Sequence, residues 1–179
     1  MPSLVSFVLK YVALSRQYTS MKISFSVCLA LAFLLSACGP NYVYQHQTTF
    51  ENDTWTYQAI QQHQVEIKDT THLYNLIIGV KHSPEYAYQN LYVKIKTVFP
   101  NQEKREQVVS LNLADGSGAW YGKCSGKTCR LEIPIQQNAI FEQTGTYQFS
   151  IEQYMRTEKV EGVKGLSFKV EKTNAKAKK

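Results

Sequence analysis

The stretch LYVKIKTVF, residues 91–99, decides the fold. Leu91, Val93, Ile95, Thr97 and Phe99 share one parity, and Lys94 and Lys96 take the other. Successive side chains of a β-strand point to opposite faces, so this stretch has one apolar and one wet face. The same period continues outward on both sides. Upstream, Val65 and Ile67 alternate with Gln64 and Glu66, and Tyr74, Leu76, Ile78 and Val80 share a face. Downstream come Val109, Leu111 and Leu113, then Leu131, Ile133 and Ile135. Tyr147, Phe149 and Ile151 alternate with Gln148, Ser150 and Glu152, and Leu166, Phe168 and Val170 complete the series. Turn chemistry separates the runs at Ser83-Pro84, Pro100-Asn101, Asp115–Gly118, Thr144-Gly145 and Gly162. No stretch after residue 38 sustains a helical period. Half-wet strands belong to antiparallel sheets, and two such sheets bury their apolar faces against each other. The expected fold is therefore all-β: an antiparallel β-sandwich, immunoglobulin-like or similar, of about seven to eight strands. A closed barrel is the alternative.

Composition agrees with a folded domain. Hydrophobic residues make up 44% and charged residues 19% of 179 positions, which separates the chain from disordered sequences. The net charge of +6 is unevenly placed. Lys10, Arg16 and Lys22 precede residue 38 with no acid among them, and Lys172, Lys176, Lys178 and Lys179 crowd the last eight positions. The middle is close to neutral, so no nucleic-acid partner is expected. Residues 172–179 read as a solvated, disordered basic tail.

The N-terminal region reads as a processing signal. MKISFSVCLALAFLLSAC, residues 21–38, places Lys22 before an apolar run from Ile23 to Leu35, with small residues ahead of Cys38. Those 13 apolar residues are short for a membrane span and suit a signal-peptide core. Leu35-Ser36-Ala37-Cys38 resembles the lipobox of bacterial lipoproteins. That resemblance implies acylation of the Cys38 thiol, removal of residues 21–37 and a mature chain held to the membrane by acyl chains. A structural cysteine in a helix is the plain alternative. Residues 1–20 read as sequence ahead of a start at Met21, with a longer two-part signal as the alternative. Cys28 would leave with the signal. Residues 38–49 have no period and read as a tether to a domain over 50–171.

Few residues in the domain suggest chemistry. Cys124 and Cys129 could form a disulfide in an exported protein, stay as free thiols or, less simply, serve metal or redox chemistry. His46, His63, His72 and His82 show no close ligand spacing, and no metal or cofactor is expected. Asp69-Thr70-Thr71-His72 could place an Asp–His pair beside a hydroxyl, but Asp and Thr also cap turns. Ser150 sits mid-strand without a nucleophile elbow, and no glycine loop precedes a helix. Tyr86, Tyr88, Tyr92 and the Trp120-Tyr121 pair could form a sugar-stacking surface or could belong to the core. Gln153 and Arg156 have the least packing reason and are candidate partner contacts, with a salt bridge or a turn bond as the equal alternative.

Several stretches of the domain resemble the GldH family of gliding-motility lipoproteins of Bacteroidota-type bacteria. GTYQFSIEQYMR (145–156) is the strongest. FENDTW (50–55), DTTHLYNL (69–76), YQNLYV (88–93), FPN (99–101), LADGSGAWYGK (113–123) and VEGVKGL (160–166) follow the family's order. The Cys124/Cys129 pair departs from that pattern, which bears only on its own loop. The resemblance implies an outer-membrane lipoprotein serving gliding and type 9 secretion through envelope proteins, with no catalytic residues. Gly39-Pro40 lacks the acidic cluster of surface-export signals, which implies the periplasmic face. Asp69-Thr70-Thr71 resembles a short O-glycosylation motif with Thr70 in the acceptor region. A surface lipoprotein that binds glycans is the alternative function, and an enzyme assembled from scattered residues is a third.

Overall fold

A computed structural model describes residues 39–177. The segments 1–20 and 21–37, Cys38, Lys178 and Lys179 lie outside the described residues. The strands are β1 (Tyr42–Thr49), β2 (Thr54–Thr56), β3 (Gln61–Ile67), β4 (His72–His82), β5 (Asn90–Val98), β6 (Lys104–Asn112), β7 (Lys123–Ser125), β8 (Thr128–Ala139), β9 (Gly145–Gln153), β10 (Lys159–Glu161) and β11 (Val163–Lys176). One sheet has the order β1-β11-β4-β8-β7, the second has β3-β9-β5-β6, and β10 pairs with β2 apart from both. Every pairing is antiparallel.

The residues that carry the period fill the space between the sheets. Ile95 lies opposite Ile151, and Val93 lies opposite Val109 in the second sheet. Their faces meet the first sheet through Phe149 and Phe168, whose ring centroids are 5.1 Å apart. Ile78, Val80, Phe168 and Val170 are fully buried on the opposing side. Phe141 joins the sheets at one end, 5.1 Å from Tyr74 and 4.7 Å from Tyr147. The expected sandwich is therefore the architecture, with β2, β7 and β10 added as short strands and β1 as a long one.

Two expected boundaries shift. Residues 42–49 are a strand rather than a tether, hydrogen-bonded along Glu171 to Gly165 of β11. An edge strand buries little, and its polar residues Gln45, His46 and Gln47 hide the alternation. Close contact with β11 depends on Gly165, where an added Cβ would lie 2.4 Å from the Thr48 carbonyl oxygen. Likewise, 172–177 is not a frayed tail. β11 runs to Lys176, the Lys172 amine lies 2.6 Å from Asp69 Oδ2, and the Ala177 amide donates to the Thr71 carbonyl. The folded domain spans 42–176 rather than 50–171.

The connections make the two ends of the sandwich unlike. Tyr42, the end of β11 and the short links 68–71, 99–103 and 140–144 share one end, called here the entry end. The longer links 50–60, 83–89, 113–122 and 154–162 share the other, the loop end. At the loop end Trp55 is fully buried, stacks on Phe50 with centroids 5.0 Å apart and donates its indole N–H to the Ala59 carbonyl at 2.9 Å.

Candidate functional site

A groove of about 930 Å³ opens at the loop end on the outer face of β5 and β9. Tyr57, Tyr88, Tyr92 and Tyr154 line it, each 40–50% exposed. Tyr92 takes the wet parity of β5, between the buried Leu91 and Val93. Tyr154 stands where β9 stops alternating, and its amide donates to the Tyr92 carbonyl at 2.8 Å. The Tyr57 hydroxyl donates to the Met155 carbonyl at 2.7 Å. Tyr88 packs edge-on against the buried Tyr86 at 5.6 Å.

The charges in the groove are partly neutralised. Lys94 Nζ lies 3.1 Å from Glu152 Oε1 and 4.4 Å from the centre of the Tyr154 ring. The Glu152 carboxylate is the main reason the Lys94 pKa is raised. Arg156 is exposed at the rim and makes no ion pair among the described residues. Gln153 borders the groove but sits beneath its surface. It is 1% exposed, its amide donates to the Thr157 and Glu158 carbonyls, and its carbonyl accepts from the Met155 amide. A buried amide with all its main partners inside the turn has nothing left for a second molecule. Its role is to shape the 154–158 turn that presents Tyr154 and Arg156.

The other tyrosine candidates divide. Tyr86 is buried, and Trp120 packs at 4.5 Å from His82 while its indole N–H donates to the Pro84 carbonyl. Both belong to the packing beneath the loop end. Tyr121 is 60% exposed but lies outside the groove. Tyr57 and Tyr154, which do line it, were not singled out from the sequence. The sequence signal for Tyr154 is an aromatic ring on the wet parity of Gln148, Ser150 and Glu152, and Tyr57 carries none.

A family comparison covers the whole sandwich: the GldH lipoprotein model matches residues 42–170. The chain belongs to the GldH lipoprotein family. A gliding motility lipoprotein GldH homolog of Christiangramia forsetii is 24% identical over 163 residues, 86% of this chain and 99% of that protein. Among solved structures, a carbohydrate-binding module from a family 9 glycoside hydrolase of Ruminococcus flavefaciens has a TM-score of 0.33 at 9% identity, covering 70% of this chain and 97% of that one. A CBM35 module from Cellvibrio japonicus has a TM-score of 0.29 at 14% identity, covering 78% and 95%.

The remaining candidates in this GldH-family chain are structural in their geometry. Asp69 Oδ1 accepts from the Thr71 amide at 2.8 Å and from its hydroxyl at 2.7 Å, and Asp69 Oδ2 lies 2.7 Å from His72 Nδ1. Lys172, followed by the Thr71 bonds, holds the Asp69 carboxyl well below the usual carboxylate range. A relay would need Asp and hydroxyl on opposite ring nitrogens, whereas Thr71 Oγ1 lies 3.0 Å from the same Nδ1. The motif is a turn clamped to β11, and Thr70 is half-buried within it.

Cys124 and Cys129 face each other across the β7–β8 hairpin and are disulfide-bonded, with Cα atoms 3.9 Å apart. Gly126, at φ +56°, opens the two-residue turn, where a left-handed first residue suits a hairpin. His46 is exposed on β1, and His63 and His82 are buried. Burial first, then nearby His46, lowers the His63 pKa to about 4, and burial also lowers that of His82. Among the described residues, no three His, Cys, Asp or Glu side chains gather as metal ligands, and no helix is long and apolar enough to cross a membrane.

Proposed function

We propose that this chain is a non-catalytic envelope protein held by lipid on Cys38, serving gliding motility, type 9 secretion or both through contacts with other envelope proteins. The family match over 42–170 carries the reading, because it runs through nearly every strand of the sandwich. The order Lys22, apolar run, Ser36-Ala37-Cys38 supports the anchor. Two or three acyl chains hold stably where one does not, at about 0.8 kcal/mol per buried methylene.

The start of β1 at Tyr42 gives the anchor a geometry. Cys38 precedes Tyr42 by four Cα steps, at most about 15 Å of extended chain. The entry end therefore stands at the bilayer, and the loop end points away. Gly39-Pro40, without an acidic cluster, supports the periplasmic face of the outer membrane. Thr70, on the entry-end turn, is the proposed acceptor of an O-linked sugar.

The test is affinity purification of the tagged chain from crosslinked, detergent-solubilised envelopes, with Cys38→Ala in parallel. Co-purification of gliding or secretion components with the lipidated form alone is the expected result. Their absence from both forms contradicts the contact role.

A further inference from the structure

We propose that the tyrosine groove binds a carboxylate-bearing glycan strand of the cell wall. Tyr57, Tyr88, Tyr92 and Tyr154 line one groove, and three of the rings are held before any ligand arrives: Tyr57 by its hydroxyl bond, Tyr88 by edge-on packing and Tyr154 by a lysine. Such rings stack on the apolar C–H faces of sugars, and pre-organisation removes the cost of ordering them.

The polar groups suit the same ligand. Glu152 is shared by Lys94 at 3.1 Å and Lys96 at 3.7 Å, and Lys96 also faces Glu106, which leaves the Arg156 guanidinium as the groove's cation without an ion pair among the described residues. Beyond the groove, the same face of β9 and β5 continues as Ser150, Gln148 and Lys96, a strip of donors and acceptors without a large apolar side chain. A glycan takes stacking at one point and hydrogen bonds along its length, and the rings and the polar strip offer both. The choice of cell wall rests on the anchored reading above: the groove lies at the loop end, away from the acyl chains and from the membrane's own polysaccharide.

The experiment is calorimetric titration of the detergent-solubilised mature protein with three probes: uncrosslinked peptidoglycan glycan strands, neutral chitohexaose and delipidated lipopolysaccharide polysaccharide. We expect the peptidoglycan strands to bind, Tyr92→Ala to weaken that binding at least tenfold, and Tyr92→Phe to retain it. Arg156→Gln should weaken peptidoglycan binding while leaving chitohexaose binding, which is weaker, unchanged. Thermal unfolding of each variant separates lost binding from lost fold. Absence of binding to all three probes, or binding indifferent to Tyr92→Ala, overturns the site. Binding of lipopolysaccharide polysaccharide in place of peptidoglycan overturns the assigned source. None of these readouts depends on lipidation, so failure here is distinguishable from failure of the anchor, which labelling of Cys38 with an alkyne fatty acid reports.

Discussion

The entry end and the loop end of this sandwich use the same strands for different work. At the entry end, short links and ion pairs tie the start and finish of the chain together: Asp69 is bonded within its own turn and to Lys172 of β11. At the loop end, long links cover buried aromatic rings and leave a row of tyrosines outside. Residues at the entry end are spent on closing the fold. Those at the loop end are divided between holding the links down and presenting a surface, with Trp55 and Gln153 in the first role and Tyr92 and Tyr154 in the second.

The largest expected effect breaks the loop end from beneath. Trp55→Ala removes a fully buried ring, its stack on Phe50 and its bond to Ala59. A loss of about 3–5 kcal/mol in denaturant unfolding is expected, as for large core aromatics. Loss below about 1 kcal/mol would mean that the link 50–60 is not anchored there.

Next is the flank where β1 crosses to β3. His63 Nδ1 lies 3.0 Å from the Tyr44 hydroxyl, and its Nε2 is buried without a hydrogen-bond partner among the described residues. Its folded pKa of about 4 lies below the 6.5 of an exposed histidine. Between those values the unfolded chain binds the proton more readily, so stability is full above pH 6.5 and falls as the pH drops towards 4. His63→Leu should flatten that part of the melting-temperature profile; an unchanged slope would place the acid sensitivity elsewhere.

The hairpin disulfide is a smaller matter. Cys124 and Cys129 close a loop with a sequence separation of only 5. Replacing both by serine should cost at most about 2 kcal/mol, because short loops lose little closure entropy. The entry end is sharpened by Asp69→Asn, which should lower stability at neutral pH and remove the part lost by the natural chain under strong acid. The sign follows from the lowered pKa: this contribution is present above the unfolded value and disappears as pH falls through the folded one. The smallest effect belongs to the exposed tyrosines. Tyr92→Ala should change stability by no more than about 0.5 kcal/mol in the same assay, since it lies outside the core.

The strands that fill the core were legible because burial forces alternation. Ile95 and Phe149 must face inward, and their neighbours reveal the period. β1 was not legible, since an edge strand of polar residues is held by backbone bonds to β11 that leave no trace in side-chain pattern. The same reason concealed the end of β11, where Lys172 reads as a solvated charge until Asp69 is placed beside it. The groove was half legible. Tyr88 and Tyr92 stood out as a cluster, but Tyr57 and Tyr154 join them only through pairings between distant parts of the chain. Gln153 shares the inward parity of Tyr147, Phe149 and Ile151, and of the two readings open for it the turn bond is the one formed, to carbonyls four and five residues later.

In the function proposed above, lipid on Cys38 holds the entry end at the membrane and leaves the loop end away from it. The direct measurement is energy transfer from a fluorophore, introduced as an unnatural amino acid, to acceptors on the surface of vesicles carrying the lipidated protein. Ile140 reports the entry end and Tyr121 the loop end, separated by strands of about 3.3 Å per residue. Strong transfer from position 140 and weak transfer from position 121 are expected, both lost with Cys38→Ala. Equal transfer from the two positions, or the reverse order, would contradict that orientation.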